Sequence, residues 1–199
     1  MKKHLLSLIL VWSAMLLPAG AQTPAELQGE ARKAAIDAIL KANDIKTSLR
    51  FDFELHRHSS LLTEDLVSSG QASYVYPDKV RWEVRRPQPN VFVLNGTSTT
   101  DRRRQTLLRN VSKISERGLI NETDFDITVF SAPGQWQVDL IPLRRDLGQL
   151  FERITLLADP ATGALRGVVL SEVGGDTSYL KLHSVEKGIP LADELFVQP

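Results

Sequence analysis

The stretch Gly70-Gln-Ala-Ser-Tyr-Val-Tyr-Pro-Asp-Lys-Val-Arg-Trp-Glu-Val-Arg-Arg-Pro87 decides the fold. Two alternating runs flank a Pro-Asp turn, and Tyr74, Tyr76, Val80, Trp82 and Val84 fall on one side of them. The reading is a β-hairpin with a large, aromatic, apolar face. Just upstream, Leu49, Phe51, Phe53 and Leu55 alternate with Arg50, Asp52, Glu54 and His56, a strand with one dry and one wet face. A polar break at 59–65 separates the two. Pro87 and Pro89 close the hairpin, because proline has no N–H for the ladder. A further short strand at 91–94 ends in the turn dipeptide Asn95-Gly96.

Outward from this centre the period changes. Residues 24–41 read as a helix, with Leu27, Ala31, Ala35, Ile36 and Ile39 at helical spacing. Its stripe is small and alanine-rich, which suits a helix docked closely on a sheet as a lid or end cap. Residues 97–121 are consistent with a second amphipathic helix through Leu107, Leu108, Val111, Ile114 and Leu119. From 124 onward the alternation returns, with strands at 124–130, 136–141, 154–158, 165–172 and 177–185 and one helical turn at 144–150. Asp159-Pro-Ala-Thr-Gly163 and Gly174-Gly-Asp176 are tight turns between them. Residues 191–197 supply an edge strand or pack Leu195 and Phe196 on the core. The expectation is a mainly β (α+β) fold: a curved antiparallel half-barrel sheet, covered on one face by short helices that enclose an apolar cavity.

The chain opens as a secretory signal does. Lys2 and Lys3 precede an apolar run at 5–17, and Ala19-Gly20-Ala21 offers small residues for cleavage. The run is too short to span a bilayer comfortably, which takes about 20 residues. Cleavage after Ala21 is expected, leaving one domain at 22–199 in the periplasm. The whole chain has 24 basic and 24 acidic residues; losing the two leader lysines leaves it slightly acidic. That balance lacks the basic excess of a nucleic-acid binder. There is no cysteine, so the fold holds without disulfides and no thiol near the leader can take a lipid. A soluble monomer is expected.

Signals for chemistry are weak. There is no Gly-x-Ser-x-Gly elbow, phosphate loop or His-Glu-x-x-His. His56 and His58 share a strand face, but nothing nearby completes a metal site, and they read as exposed polar residues. The reading is of a binding protein, with no catalytic residues, metal or cofactor. The Arg102-Arg103-Arg104 run reads as a solvated loop, or as an electrostatic docking point for an acidic partner or lipid surface.

On the leader, the helix followed by the 49–55 strand, the hairpin Gly70-x-Ala-x-Tyr-x-x-Pro-Asp-Lys-Val-Arg-Trp-Glu83, the turn Val93-Leu94-Asn95-Gly96 and the final meander, the chain resembles the outer-membrane lipoprotein carrier family, the LolA-like periplasmic chaperones. The resemblance spans nearly the whole mature chain. It implies an incomplete barrel lidded by helices, which ferries lipoprotein acyl chains from an inner-membrane lipoprotein-releasing transporter to an outer-membrane acceptor. Phe51, Phe53, Tyr74, Tyr76, Trp82 and Phe92 are the expected acyl-chain contacts. Aromatic residues on a half-buried strand suit any core, so this assignment rests on the set. Two departures keep alternatives open. Tyr76 stands before Pro77 where well-known members carry an arginine, and 97–104 is polar where an aromatic strand is common. A carrier of another amphiphile, a glycolipid or polyene-type lipid, is one alternative; a periplasmic lipoprotein-sensing or interaction module is another, although such modules normally bring a second domain.

Overall fold

In the computed structural model, residues 23–44, 46–96, 118 and 120–197 are described. Ten strands form one sheet, antiparallel at every pairing: β1 (Ala25–Glu26), β2 (Leu49–His58), β3 (Leu66–Val75), β4 (Lys79–Arg86), β5 (Asn90–Asn95), β6 (Phe125–Ala132), β7 (Gln135–Pro142), β8 (Phe151–Ala158), β9 (Leu165–Glu172) and β10 (Thr177–Lys187). Their spatial order is β1-β6-β7-β8-β9-β10-β2-β3-β4-β5, an open sheet. Two meanders, β2–β5 and β6–β10, are thus joined where β10 pairs with β2. Register shifts at Ser69/Gly70, Phe151/Arg153, Leu157/Ala158 and His183/Glu186 break the ladders. Such bulges bend strands and sharpen twist, which curls an open sheet into a half-barrel.

Because directly opposite residues share a face, the register can be followed from edge to edge. Val129 opposes Val138, Val138 opposes Leu156, Leu156 opposes Val168, and Val168 opposes Leu180. Leu182 opposes Phe53 and Phe53 opposes Gly70, while Phe51, Ala72, Trp82 and Phe92 line up across β2–β5. One apolar face therefore runs the width of the sheet.

Helix α1 (Gly29–Ala42) covers the β6–β9 part of that face. Ala35 and Ile39 are wholly buried against Ile127, Val129, Val138, Leu140, Leu156 and Ala158. Burying one side chain such as Ile39 contributes about 1.5–3 kcal/mol. The helix starts later than its periodicity suggests. Gly29 adopts φ +54 and interrupts it, and Ala25–Glu26 instead pair with Ser131 and Phe130 as β1. At its other end, Asn43 donates to Ile39 and Gly163 carbonyls, both at 2.8 Å, and accepts from the Leu165 N–H at 3.1 Å. Gly163 in that turn has φ +74, and a Cβ there would stand 2.4 Å from the Ala38 carbonyl oxygen. The helix is pinned to the β8–β9 turn, not hung on it as a free lid.

A four-residue helix α2 (Arg145–Gly148) follows β7, as the 144–150 pattern predicts. The segment at 191–197 is not an edge strand. It forms a 3-10 helix (Asp193–Phe196) that packs by β4 and β5, with Phe196 buried. Its bonds come from Lys79, Arg81 and Asn95, whose positions alternate with the apolar register. This element therefore lies on the face opposite α1, a correction to the expectation of helices on one face only. The expected helix at 97–121 and the leader lie outside the described residues, apart from Gly118, Ile120 and Asn121.

Candidate ligand-binding face and its surroundings

The β2–β5 half of the apolar face differs from the half under α1. Phe53 is buried, and Trp82 stacks on it with ring centroids 4.1 Å apart and planes at 28°. Phe51 meets the same indole edge-on at 6.3 Å and 76°. Phe92 lies directly across the ladder from Trp82, and Tyr74 opposes Val80 one step along. Phe51, Tyr74, Val80, Trp82 and Phe92 are only half-buried, so this aromatic floor remains partly open. Five of the six expected contacts share it. Tyr76 does not join them: it follows the end of β3, in the turn, and is 41% exposed. Strand β3 ends at Val75, so the alternation that places Tyr74 no longer applies to Tyr76. The arginines at 102–104 lie outside the described residues.

Where this floor meets the end of α1 there is a cavity of 130 Å³. Leu49 and Phe51 of β2, Leu165 of β9, and Leu182 and Val185 of β10 supply its apolar lining. Asn43, Asp44 and Lys187 add polar groups. At ~30 Å³ per water, the space equals roughly four water molecules. It admits the end of one hydrocarbon chain in this state. Sequence reading missed Leu165, Leu182, Val185 and Lys187 as a site, although the alternation of Leu180 and Leu182 already marked the apolar side of β10.

The opposite face of β2 and β10 is polar. Glu54 accepts a hydrogen bond from Lys181 Nζ at 2.8 Å and is bonded to His56, while His58 Nδ1 lies 2.8 Å from Asp65. Among the described residues no group of three or more His, Cys, Asp or Glu is placed to hold a metal ion. The Lys181 and His56 bonds lower the Glu54 carboxyl to about 2 from its ordinary 4.5. A folded-state value below the unfolded one stabilises above the unfolded pKa and is lost as pH falls through the folded one. Wild-type melting temperature should therefore fall more steeply than that of Glu54→Gln between pH 4.5 and pH 2. Thermal melts across that range check this, and parallel curves would remove Glu54 from the acid limb.

One end of the sheet is unusually apolar on its surface. Seven of the eleven exposed large hydrophobics among the described residues lie there. Leu61 and Leu62 belong to the β2–β3 connection, Leu66 and Val67 to the start of β3, Val173 to the β9–β10 turn, and Leu143 and Leu150 flank α2. Leu61 is 91% exposed, although the 59–65 break reads as polar. The loops touch: Val173 N–H donates to the Leu150 carbonyl at 3.0 Å, and Ser59 and Arg57 hold the Asp176 carboxyl below its ordinary value. Among the described residues no helix is long and apolar enough to cross a membrane.

No family model matches the chain, and no curated protein matches it. Among solved structures it is similar to LolA superfamily protein NE2245 from Nitrosomonas europaea, with 9% identity and a TM-score of 0.45 over 83% of this chain and 97% of that one. It is similar to an outer membrane lipoprotein-sorting protein domain from Vibrio parahaemolyticus, with 8% identity and a TM-score of 0.39 over 82% and 94%. The likeness is one of fold. A further similarity is to MucB of the Pseudomonas aeruginosa MucA/MucB complex, with 15% identity and a TM-score of 0.42; this chain covers 60% of that chain's length. At these scores the likeness carries no argument about ligand or partner, and both are read from the site.

Proposed function

We propose that the protein is a periplasmic carrier that binds lipoprotein acyl chains non-covalently and moves them between the inner and outer membranes. The observation that supports this is the half-open aromatic floor of Phe51, Phe53 and Trp82 running into the apolar cavity at Leu49, Leu165 and Leu182. Each methylene moved out of water is worth about 0.8 kcal/mol, so a long acyl chain does not cross an aqueous compartment unaided. A carrier must also release its cargo, which a partly open floor permits and a sealed core does not. Loading a full chain requires the small cavity to widen along the half-buried residues of β2–β5. The leader and the family resemblance support a periplasmic location, and such transport requires a donor and an acceptor at the two membranes.

Native mass spectrometry of the mature protein from periplasm, with lipid extraction, tests this. A co-purifying lipoprotein is the expected result. Another bound amphiphile would shift the reading to a carrier of that molecule. A clean apo mass together with failure to bind acyl probes would overturn both.

A second reading is favoured by the apolar end at Leu61, Leu66 and Val173. Contiguous exposed apolar surface marks interaction sites, so an interaction module that docks a partner protein there is the alternative. It expects the clean apo mass.

A further inference from the structure

Lys187 ends β10 at the mouth of the cavity. Its Nζ donates to the Ala42 carbonyl at the end of α1. Burial pulls its amine below the ordinary lysine value. Among the described residues no carboxylate lies within ion-pair distance of it, whereas Lys79 and Lys181 pair with Asp193 and Glu54. Asp44 also lines the mouth, but its carboxylate accepts from its own loop, at the Lys46 N–H, 2.9 Å away. Lys187 is exposed overall, but it borders the apolar hollow and no carboxylate among the described residues neutralises it, so a negative charge seated beside the hollow is attracted to it.

An ammonium has three donors, and the Ala42 carbonyl uses one. Two remain, which suits the two oxygens of a carboxylate. The hollow of 130 Å³ has volume for the end of one chain, entering along Leu182 and Leu49 toward Phe51. Resting on the acyl-binding reading of the same site, and in addition to lipoprotein acyl chains, we infer that it takes a single-chain amphiphile with a carboxylate headgroup, the carboxylate against Lys187 and the chain laid on the β2–β10 face beside the end of α1.

Calorimetric titration of the full mature chain below micellar concentrations tests this with dodecanoate, its uncharged methyl ester, and dodecyltrimethylammonium. Dodecanoate should bind at least about tenfold more tightly than the ester, and the cation weakest. Lys187→Met keeps an apolar stem, and should bring dodecanoate down to the ester's affinity while leaving the ester unchanged. Leu182→Trp fills the hollow and should abolish binding of both. Equal affinity for dodecanoate and ester in the wild type, or a preference that survives Lys187→Met, would overturn the carboxylate assignment and leave apolar binding standing. Undiminished dodecanoate binding in Leu182→Trp would overturn the location. Failure of every probe on the wild type would overturn the acyl-binding reading together with this one. The wild-type comparison stands even if a variant fails to fold.

Discussion

Gly70→Ala should leave almost no folded protein. A Cβ at Gly70 would sit 1.8 Å from the Glu83 carbonyl oxygen and 2.9 Å from its carbon, with the Phe53 Cζ at 3.0 Å. The first two are backbone atoms of a strand hydrogen-bonded on both sides, so they cannot swing away as a side-chain tip would. The cause is local register. A bulge between Ser69 and Gly70 brings the β4 backbone over this position, and the Phe53 ring closes the other side. Relief requires moving β4, and with it Trp82, away from β3. A cost above about 4 kcal/mol is expected, a large part of the 5–15 kcal/mol that holds a typical domain. Soluble yield, far-UV circular dichroism and urea unfolding provide the readout. A cooperative transition with a melting temperature within a few degrees of the parent would show that the sheet accommodates the methyl, and the close approach would lose its structural weight.

Trp82→Ala and Phe53→Ala should separate binding from stability, although the two rings stack on each other. Phe53 is only 2% exposed, and its truncation leaves a cavity beside Gly70, so a loss of about 3–5 kcal/mol is expected. Trp82 covers Phe53 from the open side and is half-buried. Its truncation removes floor, not foundation, and should cost about 1–3 kcal/mol. Acyl-probe affinity should nevertheless fall at least tenfold with Trp82→Ala, since a chain lying on the floor loses its broadest contact, about 1.4 kcal/mol or more. Paired denaturant unfolding and probe titration measure both. Severe destabilisation by Trp82→Ala with full affinity in the surviving folded fraction would make Trp82 an ordinary core residue.

Most strands were legible because β2 and the β3–β4 hairpin keep strict alternation, which follows directly from burying one face of a sheet. The turns at Asp159–Gly163 and Asn95–Gly96 were legible for the same local reason. What local pattern cannot encode is which strands meet. Lys187 and Leu49 are register partners, yet neither carries any mark of the other in the chain. The aromatic floor could be read, because its members sit close together in sequence, whereas the cavity needs β2, β9, β10 and the end of α1 at once. Helical spacing through Leu27 misled at 24–28, where the positive φ of Gly29 and pairing with β6 outweigh propensity. Leu61 and Leu62 were hidden among Ser59, Ser60, Glu64 and Asp65, since a majority of polar residues says nothing about two exposed leucines.

The pairing of β10 with β2 has a consequence in time. The β2–β5 meander can form as soon as those residues are available, but its β2 edge stays open until residues 177–187 arrive from the far end of the chain. Pairings across such sequence separations are slow, and an unpaired edge invites wrong partners while it waits. The same late strand brings Leu182, Val185 and Lys187, which line the hollow beside Leu49 and Phe51. A partly assembled chain therefore has its aromatic floor before it has a pocket. The binding site is completed by the strand that completes the sheet, so an unfinished molecule lacks part of the lining needed to hold a ligand.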